Sequence, residues 1–289
     1  MHWIDYESPH SIKDAVDLLN SSGGARPIAG GTDVLVQLRA GAMPGVNLLV
    51  DVKNIPEMNE LKYDAGSGLT IGAAVPCYKI YGDDAIAKAY PGLIDSASLI
   101  GGTQIQGRAS LGGNLCNAAP SADSVPVMIA LGGIARIAGP NGDREVPLED
   151  FCVGVRQTVI QQGEILTAIH FPAPVSNSGA NYMRFIPRNE MDIAVAGVGS
   201  SVVLENGNIK SAKVALSSVA PIPLYVKEIG ETLAGKPANE DSLEQAGLLA
   251  KNAAKPITDM RGTVEYRKHL CDVLTRRSLK ISIDRAKEG

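Results

Sequence analysis

The chain has 289 residues, 45% of them hydrophobic and 20% charged, a composition typical of a soluble globular protein with one large domain or two ordinary ones. Its 27 basic and 31 acidic residues give a formal net charge of −4, which leaves no positive excess to hold nucleic acid or an anionic membrane. Glycine is enriched at 31 residues, about 11% against an average near 7%, so the positions of the glycines become the main question.

The beginning of the chain predicts a compact α+β unit. Ser11 and Asp14 resemble a helix-capping box, and apolar residues at helical spacing continue a short amphipathic helix to about residue 21. A strand, a turn, a helix and a buried strand are then expected in this order: 26–29, 30–33, 34–40 and 48–52. This unit is the first subdomain, covering about residues 1–56.

The next region, about residues 57–176, has a mixed pattern and forms a second subdomain. Branched apolar runs predict three strands: 69–71, 134–137 and 165–171. Apolar residues at helical spacing predict two helices: 78–89 and 123–131. The glycine-dense segment 101–113 lies between those helices, and the proline- and serine-rich stretch 172–179 is the best candidate for a linker.

The remaining residues, 177–289, predict a separate α+β domain. Three strands are expected to form an antiparallel sheet: 182–186, 194–204 and 209–216. The Asn206-Gly207 pair between the last two strands is a strong hairpin signal. Three helices follow: 225–233, 242–254 and 263–286. Strands followed by helices, without strict alternation, favour an α+β fold over a doubly wound sheet.

The sequence shows no targeting signal and no metal-binding pattern. The four cysteines, at positions 77, 116, 152 and 271, are far apart and form no C-x-x-C pair, which argues against an iron–sulfur or zinc site within this chain. The N-terminal residues have neither the basic nor the apolar region of a signal peptide. No apolar run approaches the ~20 residues that cross a bilayer. We therefore expect a cytoplasmic protein without a membrane span.

Two segments contain most of the clustered glycine. The first runs from Ile28 to Val34 and places Gly30-Gly31 between a strand and a helix, and the second covers residues 101–114. Glycine lets a backbone approach a ligand closely and adopt positive φ, so successive N–H groups can converge on one anion. Two such segments facing each other would suit a pyrophosphate, with a helix start adding partial positive charge.

An alternative interpretation is that both segments are ordinary tight turns, since turn glycines are common. The dinucleotide fingerprint G-x-G-x-x-G is absent after a strand, and no G-K-[ST] marks a Walker loop. Phosphate binding therefore remains a hypothesis that neither of the two familiar nucleotide folds supports.

Together with their neighbours, these segments resemble the FAD-binding (medium) subunit of the xanthine dehydrogenase and carbon monoxide dehydrogenase family of molybdenum hydroxylases. The matching segments occur in family order over nearly the whole chain: 28–33, 110–115, 117–123, 163–166, and Tyr182-x-Arg184-x-x-x-Arg188-x-x-x-Asp192-Ile193-Ala194. The resemblance implies a vanillyl-alcohol-oxidase (PCMH)-type FAD-binding fold over residues 1–176 and a C-terminal flavoprotein α+β domain over residues 177–289. The four histidines lie outside the glycine segments, so we expect non-covalent FAD.

The resemblance also implies roles for individual residues. Two sets would wrap the FAD diphosphate from opposite sides: Ile28, Ala29, Gly30, Gly31, Thr32, Asp33 and Val34, and Ser110, Leu111, Gly112, Gly113 and Asn114. Single residues would contact the rest of the cofactor: Asp123 at the ribose or ribityl, Leu166 near the adenine, Ile193 against the isoalloxazine, and Ile100 and Gly101 beside the flavin. Arg184 would also contact the flavin, at a position where many relatives carry lysine; arginine keeps the charge and alters the donor geometry.

By the same resemblance, this chain is an oxidoreductase subunit that relays electrons. A large molybdopterin subunit would oxidise the substrate, and a small subunit with [2Fe-2S] clusters would carry single electrons to the FAD in this chain. NAD or another acceptor would receive them, within a dimer of heterotrimers. No catalytic or metal-ligating residue is assigned to this chain. Two alternatives stay open: a self-contained flavin oxidase or reductase of the same fold, and a non-catalytic scaffold subunit.

Overall fold

The first part of the fold is a small parallel sheet with two helical connections. The computed structural model describes residues 3–189 and 191–288. Its first elements are β1 (Asp5–Glu7), α1 (Ile12–Ser21), β2 (Ala25–Ile28), α2 (Val34–Arg39) and β3 (Leu48–Asp51), with the strands in the order β1-β3-β2. Helix α1 begins where the sequence predicts, because Ser11 Oγ accepts a hydrogen bond from the Asp14 amide at 3.1 Å. The first glycine segment follows β2 at the carboxyl edge of this sheet.

The second part is a five-stranded antiparallel sheet with helices inserted in its middle. Its elements are β4 (Leu61–Asp64), β5 (Gly68–Gly72), α3 (Cys77–Tyr81), α4 (Asp84–Ala89), α5 (Pro91–Ala97), α6 (Thr103–Gln106), α7 (Leu111–Asn117), α8 (Ser124–Ala130), β6 (Ile134–Ala138), β7 (Arg144–Pro147), β8 (Cys152–Gly154), β9 (Gln157–Thr158) and β10 (Ile165–Phe171). The sheet order is β4-β5-β10-β6-β7, and β8 and β9 form a separate pair. Buried side chains from this sheet and these helices form the largest core, which includes Leu69, Ile137 and Phe171.

The helices of this part differ from the prediction in two ways. The single helix expected over 78–89 is two helices, because Asp83 accepts hydrogen bonds from the amides of Ala85 and Ile86 and starts a new helix. The glycine-dense segment 101–113, for which the sequence predicted no helix, contains α6 and the beginning of α7. Capping and packing therefore override the low helix propensity of glycine there.

The C-terminal part is a sheet covered by three helices. Its elements are β11 (Ser178–Phe185), β12 (Ala196–Glu205), β13 (Asn208–Ser217), β14 (Leu224–Tyr225), α9 (Lys227–Leu233), α10 (Glu240–Ala253) and α11 (Val264–Glu288). The predicted three-stranded sheet gains a fourth strand, since β14 pairs with Ala215 and Leu216. Asn206 and Gly207 adopt φ values of 52° and 80°, as a two-residue hairpin turn requires. The boundary predicted at residue 176 remains a prediction.

The C-terminal part packs closely against the helices of the second part. A Cβ on Gly199 of β12 would lie 2.2 Å from the backbone nitrogen of Val127, so α8 rests directly on the sheet. Asp95 on α5 accepts two hydrogen bonds from Arg285 on α11, at 2.6 and 3.0 Å, and one from Asn181 at 2.7 Å. These contacts fix the orientation of the two parts. No helix within residues 3–189 and 191–288 combines the length and apolarity that crossing a bilayer requires.

Replacing Arg285 with glutamine is expected to lower the free energy of unfolding by about 2 kcal/mol, because hydrogen bonds to a charged, largely shielded group are lost. Denaturant unfolding followed by circular dichroism measures the change. Arg277→Gln is the matched control, because Arg277 is an exposed arginine on the same helix. Equal unfolding midpoints for the two variants would mean that the Asp95 contact contributes nothing.

Candidate functional site

The first glycine segment turns sharply between β2 and α2. Gly31 has φ of +74°, a left-handed conformation that glycine adopts without strain. The turn leads into α2, where the amide of Leu35 donates to the Gly31 carbonyl at 3.2 Å. Asp33 is the residue before α2, and its side chain accepts a hydrogen bond from Gln37 at 3.2 Å instead of capping the helix. The early amides of α2 therefore carry no side-chain cap from Asp33.

The second segment ends in the first turn of helix α7. Ser110 caps α7 by accepting a hydrogen bond from the Gly113 amide at 3.0 Å. A Cβ on Gly112 would lie 2.5 Å from the Ala73 carbonyl oxygen, so only glycine allows this helix to pack against the residue after β5. In the middle of α7, Asn114 accepts a hydrogen bond from the Ser124 hydroxyl at 2.7 Å, which connects α7 to α8.

The two glycine segments lie against each other. A Cβ on Gly30 would come within 2.2 Å of the Arg108 carbonyl oxygen and 3.0 Å of the Ala109 nitrogen. The Arg108 side chain reaches back, and its Nε donates to the Gly30 carbonyl at 3.0 Å. Gln37 on α2 also donates to Asn117 on α7 at 2.8 Å. The fold thus brings the two segments together as a shared cofactor site requires, and the roles of their single residues remain predictions.

Asp123 lies at the seam between the second part and the C-terminal part. It precedes α8 but makes no capping hydrogen bond there, and it is 9% exposed. Its carboxylate accepts hydrogen bonds from two residues of β11: Tyr182 Oη donates at 2.7 Å and Arg184 Nη1 at 2.5 Å. Burial raises the pKa of Asp123, and the Arg184 charge and the Tyr182 hydrogen bond oppose that rise without cancelling it. Arg184, predicted to face the flavin, here forms a buried ion pair.

The predicted isoalloxazine contact, Ile193, lies in the segment that joins β11 to β12. It is 49% exposed, and its amide donates to the Asp192 carboxylate at 2.8 Å. Arg188 also donates to that carboxylate at 3.1 Å. The neighbouring Met191 sulfur lies 3.2 Å from the position of a Cβ on Gly102. The segment therefore reaches the turn that holds the other two predicted flavin neighbours, Ile100 and Gly101.

Leu166, the predicted adenine contact, is a buried residue of the five-stranded sheet. It is 2% exposed within β10, where its side chain belongs to the main core. The next residue, Thr167, accepts a hydrogen bond from the Ala73 amide at 2.9 Å, and Ala73 is the residue on which Gly112 packs. Backbone contacts through Thr167 and Ala73 thus connect the strand of Leu166 to the second segment. The contact between Leu166 and adenine remains a prediction.

Tyr182 and Arg108 are two residues that the sequence did not single out for the site. Tyr182 and Arg184 alternate along a strand, which places both side chains on the same face. The sequence could therefore have predicted that Tyr182 and Arg184 act together, but it could not predict that both side chains contact Asp123. Arg108 had no signal, because its contact with Gly30 spans 78 residues.

Two surface grooves lie beside α1. The residues around one groove beside α1 are Glu7, Ser8, Pro9, Asp14, Asp17, Leu18 and Ser21, and those around an adjoining one are Asp5, Tyr6, Glu7, Leu18, Ser22, Asn47 and Leu48. Neither groove involves the glycine segments. Within residues 3–189 and 191–288, no group of three or more His, Cys, Asp or Glu side chains is placed to hold a metal ion.

Two protein-family models match the chain. Residues 2–174 match the family described as the FAD binding domain in molybdopterin dehydrogenase. Residues 181–281 match the CO dehydrogenase flavoprotein C-terminal domain. Together these two matches account for most of the chain.

Curated proteins and solved structures agree with these matches. The chain is 33% identical to the carbon monoxide dehydrogenase medium chain of Afipia carboxidovorans, over 98% of both proteins. It is 31% identical to the xanthine dehydrogenase FAD-binding subunit of Escherichia coli, over 97% of both. A chain of the reconstituted CO dehydrogenase from Oligotropha carboxidovorans superposes with a TM-score of 0.94 at 32% identity, covering 98% of this chain and 99% of that one. The α+β fold expected from the sequence is thereby confirmed.

Proposed function

The chain belongs to the FAD-binding (medium) subunits of the carbon monoxide dehydrogenase and xanthine dehydrogenase family, and on that premise we propose that it is the flavin relay of a multi-subunit molybdenum hydroxylase. The fold has two glycine segments in contact, at Gly30 and Arg108, as a diphosphate site needs. Backbone amides near Gly31 and the start of α2, which has no side-chain cap, supply the partial positive charge that suits a phosphate. The residues present therefore fit FAD.

A continuous series of contacts supports this proposal. It begins where the two glycine segments meet and passes along α7 to the Asn114–Ser124 hydrogen bond. The next residue is Asp123, whose carboxylate meets β11, and the segment after β11 carries Ile193. The order is that of diphosphate, sugar and isoalloxazine along FAD. We propose that these residues hold the three parts of the cofactor in that order.

The partners follow from the relatives. We propose that a small subunit with [2Fe-2S] clusters and a large molybdopterin subunit join this chain in the cytoplasm, as a dimer of heterotrimers. Bound FAD can take up single electrons and release them in pairs, which connects one-electron clusters to NAD or another two-electron acceptor. The chain's own contribution is to bind the cofactor, orient its ring and separate it from solvent. Substrate oxidation is left to the large subunit.

Purification through a tag on this chain, from its own host, tests the proposal. We expect a yellow complex with one FAD in each copy of this chain and two further subunits that contain iron and molybdenum. Substrate added without oxygen should bleach the flavin band in the complex. The same addition to the chain purified alone should leave the band unchanged, because the electrons have no source.

Two other results would favour the alternatives. A colourless chain that does not bind added FAD would indicate a scaffold subunit. A yellow chain that turns over a substrate by itself, with no cluster-containing partner, would indicate a self-contained oxidase or reductase.

A further inference from the structure

Asp123 is held by a tightly packed polar cluster inside the seam. Tyr182 and Arg184 approach it from β11, and Ser217 lies beside Tyr182 from β13. Tyr182 is 3% exposed and Ser217 is 1% exposed. In such a buried cluster the hydrogen bonds to Asp123 restrict the positions of Tyr182 and Arg184.

The hydrogen bonds of Asp123 are divided between its two oxygens. Tyr182 Oη donates to Oδ1, and Arg184 Nη1 donates to Oδ2. A carboxylate has about four lone-pair directions, so each oxygen keeps capacity for a further donor. The hydroxyl groups of a ribityl chain or a ribose are donors of the right kind.

Backbone packing fixes the position of the Tyr182 hydroxyl. A Cβ on Gly197 of β12 would lie 2.6 Å from Tyr182 Oη and 2.5 Å from Ser217 Oγ. Any side chain at this position would push the phenol away from Asp123. Burial and the Asp123 charge raise the pKa of Tyr182 well above its ordinary value, so the phenol stays protonated and donates.

We propose that Tyr182 is a positioning residue for FAD: its hydroxyl fixes the Asp123 carboxylate so that the remaining lone pairs accept hydrogen bonds from the sugar hydroxyls of the cofactor. This inference rests on the proposed function, because it requires Asp123 to contact FAD. It explains why a tyrosine outside the glycine segments is buried beside Asp123.

The same hydrogen bond helps to keep Asp123 ionised. The titratable groups that face Asp123 are Tyr182 and Arg184, both from β11, while Ser124, Gly197 and Ser217 bring no charge. Burial raises the pKa of Asp123, and the Tyr182 hydrogen bond lowers it. Loss of the hydroxyl therefore raises that pKa further, and Asp123 becomes protonated at a higher pH.

Tyr182→Phe in the full chain tests the proposal. After removal of bound flavin, FAD is titrated back at several pH values from about 5 to 8, and quenching of flavin fluorescence gives Kd. We expect roughly tenfold weaker binding at neutral pH, since a hydrogen bond to a charged group is lost. We also expect the variant to lose further affinity at a higher pH than the wild type as the pH falls. A purely structural role would weaken binding equally at every pH.

Tyr90→Phe is the matched control. Tyr90 is also a buried tyrosine, and its hydroxyl donates at 2.9 Å to the Pro172 carbonyl, away from Asp123. Its removal should leave the FAD pH profile unchanged. Gly197→Ala is the second variant, because it keeps the hydroxyl and displaces it, and it should shift the profile in the same direction as Tyr182→Phe.

The outcomes separate this inference from the proposed function. A wild-type chain without affinity for FAD contradicts the proposed function itself. Wild-type binding in both variants, or an equal loss at every pH, overturns the role of Tyr182 and leaves the proposed function intact. If Tyr182→Phe does not fold, the pH profile of Gly197→Ala decides.

Discussion

Replacing Gly30 with alanine is expected to weaken FAD binding strongly while the chain still folds. The new Cβ would lie 2.2 Å from the Arg108 carbonyl oxygen, a backbone atom that cannot rotate away. The two glycine segments must then separate, and the backbone amides that we propose to bind the diphosphate lose their alignment. Displacement by about 1 Å can cost a hundredfold when groups must act together, so we expect Kd for FAD to rise by at least about that factor.

A second glycine provides the control for this experiment. A Cβ on Gly23 has no atom within 4 Å, and Gly23 does not have a positive φ. Gly23→Ala should therefore bind FAD as the wild type does. Flavin absorbance of the purified chains and fluorescence titration measure both variants, and circular dichroism checks that Gly30→Ala is folded. If the Gly30→Ala chain folds and binds FAD with wild-type affinity, the contact between the two segments is not needed for cofactor binding.

Elements with a strong local signal could be predicted from the sequence. Helix α1 has a capping serine at position 11 and an apolar stripe, and in the structure the helix begins at Ile12, directly after that serine. The Asn206-Gly207 hairpin depends on two residues that tolerate positive φ, so the turn could be predicted from these two residues alone. The strand predicted at 165–171 agrees with β10 because its apolar run is long enough to be central in a sheet.

The middle of the chain could not be predicted in this way. Helix α7 consists of Leu-Gly-Gly-Asn-Leu-Cys-Asn, a poor helix former, and it exists because Ser110 caps it and Gly112 packs on Ala73. Both causes are contacts that appear only once the fold is complete. Tertiary packing therefore decides the conformation where local propensity is weakest.

The candidate site shows the same division. Glycine clustering in the sequence indicated the two segments, and the family resemblance predicted a role for Asp123. The sequence could not show that Gly30 lies on Arg108, or that Asp123 meets Tyr182 59 residues away. Such contacts depend on how the sheets and helices pack, and a single sequence carries no direct record of them.

Replacing Arg184 with methionine is expected to destabilise the chain by about 3–5 kcal/mol at neutral pH, because it leaves the Asp123 carboxylate buried without its counter-ion. The two side chains of this pair are 6% and 12% exposed, so water cannot replace the lost charge. Burial already raises the pKa of Asp123, and removing Arg184 raises it further. The folded variant then binds a proton more readily than the unfolded chain, so its stability falls as pH rises through this range. The deficit relative to the wild type should therefore be largest near neutral pH and shrink on acidification.

Denaturant unfolding at several pH values measures this deficit, with two comparisons built into the design. Arg136→Met removes an arginine from an ion pair with Glu145 whose side chains are 42% and 59% exposed, and it should cost less than about 1 kcal/mol. Arg184→Lys keeps the positive charge and should recover most of the stability, though with fewer and less directed donors. A pH-independent deficit in Arg184→Met would mean that lost packing of the long side chain, and not the bare carboxylate, is the cause. Recovery of stability by lysine together with weaker FAD binding would indicate that the charge of Arg184 stabilises the seam, whereas its planar donor group serves the proposed contact between Asp123 and the cofactor.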